Sequence, residues 1–178
     1  MLINIWLGAF TCPTRGAWIN IETGDDWEEE VAPQVAKIKS AGDDPELGMF
    51  DVECDECPEF AQFLIAKYGE SPDLAEVLAF LDLVEAVGVG VFLCYATHTG
   101  ASYVQPDCAD DIRDCVSGGS VEDMLRDTLQ YDVDAALGDC GVPSFNYDWA
   151  AYARDQILSG YYRESEHDGQ AYYYNCCS

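Results

Sequence analysis

The sequence predicts an α+β fold laid out as a series of three small modules, and three observations point to it. Apolar residues alternate with a period of two near the N-terminus, recur at helical spacing in the middle, and return at the C-terminal end to a hairpin pattern behind acidic helices. These changes of texture divide the 178 residues into an N-terminal α/β sheet module over 1–57, a helical middle module over 58–98 and an α+β module over 99–178.

In the first module, residues 2–10 and 17–22 form two expected strands. The turn Thr11-Cys-Pro-Thr-Arg-Gly16 joins them. Trp18 and Asn20 alternate with Ile19 and Ile21, as on a half-buried strand. Asp25, Asp26, Glu28, Glu29 and Glu30 crowd the start of a helix expected to run to Ser40, where the helix dipole favours negative charge. Residues 47–53 return as a third strand. In the second module, Pro58 opens a helix that Gly69 stops, and Ser71 with Pro72 predicts the cap and first turn of the next. The apolar, glycine-punctuated stretch Val87–Ala96 predicts a strand or a buried turn. In the third module a short helix is expected over Asp107–Val116, Gly118-Gly119 ends it, and Ser120 caps a longer helix to Leu137. Asp148–Leu158 is a further helix, and Gly160–Arg163 with Gln170–Asn175 closes as a hairpin around His167-Asp-Gly169.

Charge dominates the composition. Thirty-four Asp and Glu face eight Lys and Arg, giving a formal net charge of −26. Solubility alone needs a net charge of only about 2–8 in a small domain, and self-repulsion at this level opposes compaction. Four Trp, seven Phe and eleven Tyr argue against disorder, because disordered acidic chains are poor in aromatics. Binding to nucleic acid or to an anionic membrane is not expected, since both need a basic surface. A basic partner is the complement of such a chain. The N-terminal residues show no secretion-signal pattern and no run reaches 18 uninterrupted apolar residues, so a cytoplasmic location is expected. The nine cysteines, an odd number without regular spacing, are then expected as free thiols.

The most informative local pattern is Asp107, Asp110, Asp111 and Asp114, at i, i+3, i+4 and i+7. On one helix this spacing places four carboxylates on one face, about 5–6 Å apart. Cys108, Ile112, Cys115 and Val116 supply the opposite, apolar face. The next helix repeats the arrangement: Asp123, Asp127 and Asp134 share a face, and Val121, Leu125, Leu129, Val133 and Leu137 lie nearer the other. Glu122 and Asp132 add carboxylates beside them. Cys54-Asp-Glu-Cys57 is an isolated CxxC without the second ligand pair a zinc site needs, and its acidic neighbours oppose thiolate formation. No phosphate loop, GxSxG, HExxH or EF-hand loop occurs. A non-enzymatic protein without cofactor or metal is therefore expected.

At the C-terminal end, Gly141-Val-Pro143, Tyr147-Asp-Trp-Ala-Ala-Tyr-Ala-Arg-Asp155 and Ser159-Gly-Tyr-Tyr162 resemble the ending of ArdA-type antirestriction proteins. The opening Ile3-Asn-Ile-Trp-Leu-Gly-Ala-Phe10 with Gly16-Ala-Trp18, and the acidic Phe50-Asp-Val-Glu-Cys-Asp-Glu-Cys-Pro58, also resemble that family. Little resemblance is found between Val87 and Asp107. The resemblance implies an elongated chain of three small domains, a curved homodimer formed through the last of them, and carboxylates presented in place of phosphates. It further implies type I restriction–modification enzymes as targets and carriage on mobile genetic elements. Under it, Asp107, Asp110, Asp111, Asp114, Glu122, Asp123, Asp127, Asp132 and Asp134 are the expected partner-binding carboxylates. Arg154-Asp155 is expected to be a structural pair fixing the last helix. The alternative is a halophilic acidic domain of unrelated role, its charge serving only solubility.

Overall fold

The computed structural model describes residues 1–41, 46–143, 145 and 147–177, with the side chains of 40 and 41 excepted. It is a mixed helix and sheet fold whose described residues hold two small antiparallel three-stranded sheets. The chain divides into two compact units, Met1–Ala109 and Asp110–Ser178.

The first unit begins with a hairpin, β1 (Leu2–Ala9) and β2 (Cys12–Glu22), and β3 (Leu47–Glu53) pairs on the far side of β1 in the order β2-β1-β3. The expected turn over 11–16 is much tighter: only Phe10 and Thr11 separate the paired residues Ala9 and Cys12. Pro13 is tolerated because β2 is an edge strand, where a missing N–H disturbs no ladder. Ile3, Ile5, Leu7, Ile19 and Ile21 alternate into the core and are almost wholly buried. The edge of β2 is itself covered: the Gln34 side-chain amide accepts from the Asn20 N–H (3.1 Å) and donates to the Asn20 carbonyl (2.9 Å). One glutamine thus stands in for a neighbouring strand and blunts an edge otherwise open to pairing.

Gln34 is carried on α1 (Ala32–Ala41), which follows a π-helical turn at Trp27–Val31. Asp26 caps that turn by accepting from the N–H groups of Glu28 and Glu29, and Glu30 Oε2 accepts from the Asp26 N–H at 2.7 Å. Pro33 has no N–H to give to the carbonyl four residues back, and the wide turn lies directly before it.

Helix α2 (Pro58–Tyr68) has the expected ends, with Pro58 in the first turn and Gly69 at the C-terminus. The next helix, α3 (Leu74–Val87), starts later than Ser71-Pro72 predicted. Its cap is Asp73, which accepts from the N–H groups of Ala75 and Glu76. The stretch expected as a strand or buried turn is instead α4 (Val89–Thr99), with Phe92, Cys94 and Ala96 buried. Its Val, Phe, Tyr and Thr residues favour strands locally, but burial against α2 and α3 decides the conformation. Phe60, Phe63, Phe80 and Phe92 meet there with ring centroids 4.9–6.1 Å apart. Beside them the Lys67 ammonium donates to the Val104 carbonyl (2.7 Å), lies 3.7 Å from Glu76 and sits over the Phe80 ring.

No single helix among the described residues is long and apolar enough to cross a membrane. Helices α3 and α4 together match a span in length and composition, but the pair bends by 117° at the break between them, and much of both is core.

The second unit comprises most of α5 (Ala109–Cys115), then β4 (Val116–Gly118), α6 (Val121–Asp139), α7 (Trp149–Leu158), β5 (Tyr162–His167) and β6 (Gln170–Asn175), with sheet order β4-β6-β5. The closing hairpin is present, but its first strand is Tyr162–His167 rather than the expected Gly160–Arg163. His167 pairs with Gln170 and leaves a two-residue turn, with Asp168 at φ 51° and Gly169 at φ 74°, the paired positive φ values of a type I′ turn. Strand β4 was not expected. Val116 leaves the helix to pair with Tyr174, where a helix through Val116 had been expected. Val121, Leu125, Trp149 and Ala153 form the buried cluster between α6 and α7.

A candidate surface of fixed carboxylates

Two helices carry the acidic pattern. On α5, Asp110, Asp111 and Asp114 are exposed while Ile112 is completely buried and anchors the helix. Asp110 and Asp114 are one turn apart and Asp111 lies between them on the same flank. Asp107 does not join them. The Cys108 N–H donates to the Gln105 carbonyl, closing a turn with Pro106 at its second position, and the helix begins only at Ala109. Asp107 is exposed in that turn, so the four-carboxylate face is three carboxylates and a neighbour. Arg113 donates to Asp110 at 3.1 Å. The Asp110 side chain is still 96% exposed, so this pair moderates repulsion without burying the charge.

The longer row lies on α6. Nineteen residues at ~1.5 Å each give a helix about 28 Å long. Its start is fixed twice: Ser120 accepts from the Asp123 N–H, and Glu164 of β5 accepts from the Val121 N–H at 2.7 Å. Asp123, Asp127 and Asp134 fall on one exposed face, as the spacing predicts. Two of these carboxylates also serve the helix. Asp123 accepts from the Ser120 hydroxyl at 2.8 Å, and Asp134 accepts from Gln130 at 2.6 Å. Glu122 is half-buried and holds Arg126, whose other terminal nitrogen is 3.9 Å from Asp123. Asp132 is exposed but lies nine residues past Asp123, which at ~3.6 residues per turn is the opposite side of the helix. The row and Asp132 therefore face different directions.

Further exposed carboxylates occur in the first unit, where the sequence pattern assigned them only to helix starts and a cysteine motif. Glu28, Glu29, Asp55, Glu56, Glu59 and Glu85 are exposed there. Their signal was their number; they follow no single spacing. Arg154 and Asp155, expected as a pair, are both exposed and form no ion pair. Adjacent helix residues point about 100° apart and cannot face each other.

All nine cysteines are free thiols, with Cys54, Cys57, Cys94 and Cys108 buried and Cys140, Cys176 and Cys177 exposed. Burial pushes the Cys57 thiol up to about 11. The Phe60 amide works against this shift, and the nearby Glu59 carboxylate and Cys54 add to it. Tyr68 is raised well above the ordinary tyrosine range, first by burial and then by Glu76 and Asp73. Both groups are raised in the fold, so their contribution to stability is complete below the unfolded values. It is lost as pH rises, from 9 through about 11 for Cys57 and above 10 for Tyr68. Thermal unfolding followed at pH 8, 9, 10 and 11 should show the melting temperature falling across that window, and Cys57→Ala should fall less steeply. An equal fall in both proteins would remove Cys57 as the cause.

No protein-family model matches the chain, and no curated protein matches it. Among the described residues, no group of three or more His, Cys, Asp or Glu side chains is arranged to hold a metal ion.

Proposed function

We propose that this chain is an antirestriction protein, a mimic of double-stranded DNA that occupies the DNA-binding groove of type I restriction–modification enzymes. The observation that carries this reading is the set of exposed carboxylates held on α5 and α6 by buried anchors and a doubly capped helix start. B-DNA presents one charge per ~1.7 Å, so a net charge of −26 corresponds to about 44 Å of duplex. Asp110, Asp111, Asp114, Asp123, Asp127 and Asp134 form the rows; Glu122 adjoins the second, Asp107 precedes α5 in the chain, and Asp132 lies on the other side of α6. The enzyme's Lys and Arg side chains are the complement.

The role is non-enzymatic and cytoplasmic, with no cofactor, nucleic acid or membrane bound. The three modules 1–57, 58–98 and 99–178 are part of this reading, the first two lying within the first compact unit. So is a homodimer formed through the C-terminal module. Tyr131, Phe145 and Leu158 of that module carry large side chains each more than three-quarters exposed, apolar surface that a second copy would cover.

The deciding experiment is binding of the chain to a purified type I modification complex in competition with duplex DNA. Binding should be displaced by DNA and should weaken steeply with salt. The rival, charge serving only solubility, draws on the exposed carboxylates spread through the first unit. It expects unfolding at low salt and no affinity for the complex. Tight binding that DNA fails to displace would sink the mimicry reading.

A further inference from the structure

The sheet of the first unit has one face in the core and one face free of its burial pattern. Cross-strand partners share a face, so the register places Trp18, Trp6 and Asp51 in one row across β2-β1-β3, and Asn20, Asn4 and Glu53 in the next. Leu2 and Glu22 form a third row. Beyond the tryptophans the pairing runs through Gly16, Gly8 and Gly48, which have no side chains to offer. A bulge in β3 turns the Phe50 ring over these glycines; a Cβ at Gly48 would lie 2.9 Å from its Cζ. Phe10 closes this end with its ring 6.0 Å from that of Phe50.

The face is therefore aromatic in the middle and acidic along β3. Trp6 and Trp18 meet edge to face at 5.6 Å, and the Trp6 Nε1–H is already given to the Pro13 carbonyl. Trp18 remains 41% exposed and Phe10 40% exposed, while Asp51, Glu53 and Glu22 are all exposed. An exposed indole with a carboxylate two strands away suits one kind of side chain. A guanidinium is flat, cationic and weakly hydrated, so it stacks on the exposed indole while the carboxylates along β3 draw a cationic segment to this face; an ammonium stacks less well.

We propose that this face is a docking platform for an arginine-bearing basic segment of a partner protein, with Trp18 as the stacking surface and Asp51 and Glu53 as the anionic border. The platform uses none of the carboxylates of α5 and α6 and stands whether or not the chain inhibits restriction enzymes.

The test is titration of the full chain with two short peptides of equal charge, acetyl-Gly-Arg-Gly-Arg-Gly-amide and its lysine counterpart. The readout is the indole N–H resonances of Trp6, Trp18, Trp27 and Trp149. The arginine peptide should bind about three- to fivefold more tightly than the lysine peptide, shifting Trp18 most and leaving Trp149 in place. Trp18→Ala should abolish the preference, Trp18→Phe should retain part of it with the ring preserved, and Asp51→Asn should weaken both peptides. The triple variant Asp110→Asn, Asp111→Asn, Asp114→Asn should keep the preference. A Trp18 resonance that does not move, or an arginine preference that survives Trp18→Ala, would overturn the proposal.

Discussion

Replacing Phe92 by alanine will lower the free energy of unfolding by about 3–5 kcal/mol, the largest single-residue effect expected in this chain. The Phe92 side chain is fully buried, and its ring touches those of Phe60, Phe63 and Phe80 at 5.7, 4.9 and 6.1 Å. Truncation removes the transfer free energy of the ring and leaves a cavity that three other rigid rings cannot collapse to fill. A domain stability of about 5–15 kcal/mol leaves little margin for such a loss. Phe92→Leu keeps most of the volume and should cost less than about 1.5 kcal/mol. Urea denaturation of the two variants beside the parent measures both. A cost below about 1.5 kcal/mol for the alanine variant would mean that the four rings are not a tightly packed core.

Neutralising Asp110, Asp111, Asp114, Asp127 and Asp134 together as asparagines should weaken inhibition of a type I enzyme by roughly 30–100-fold. Each single change should alter it by no more than about two- to fivefold. Exposed ion pairs contribute ~0.2–1 kcal/mol each, so only their sum is large. The same five changes should leave the fold as stable or slightly more so, because like charges one turn apart repel. Falling affinity with rising stability separates a binding surface from a structural one. The inhibition constant and the urea midpoint, measured on the same preparations, test this. One substitution that abolishes inhibition in a folded protein would rule out a mechanism spread over many charges.

Chain ends and turns with a single stereochemical solution were legible in advance. Pro58 and Gly69 bound α2, Ser120 caps α6, and Asp168-Gly169 lies in the hairpin turn expected around His167-Asp-Gly169. Segments decided by tertiary burial were not legible. Val89–Thr99 carries β-favouring residues and glycines, yet it is helical because α2 and α3 offer its Phe92 and Cys94 a core. Strand β4 is three residues long, too short for any period to register, and exists because Tyr172, Tyr173 and Tyr174 of β6 pair with it. The carboxylate pattern divides in the same way. Spacing alone placed Asp110, Asp111 and Asp114 together and aligned Asp123, Asp127 and Asp134. Asp107 was misplaced because Pro106 favours a turn as readily as a first helical residue. Asp132 was grouped with the others by proximity in the chain, which a helix does not respect.

Among the described residues the buried cluster between α6 and α7 is Val121, Leu125, Trp149 and Ala153; farther along α6, Leu129 and Val133 pack against it only partly buried, and Tyr131 is almost bare. The turns of α6 beyond Val133 thus have less side-chain packing to hold them than its first half, and amide protons there should exchange with solvent long before those of α2 or α4. A partner that grips Asp127 and Asp134 would slow that exchange, so deuterium uptake along this one helix reports occupancy of the acidic row without any enzyme assay.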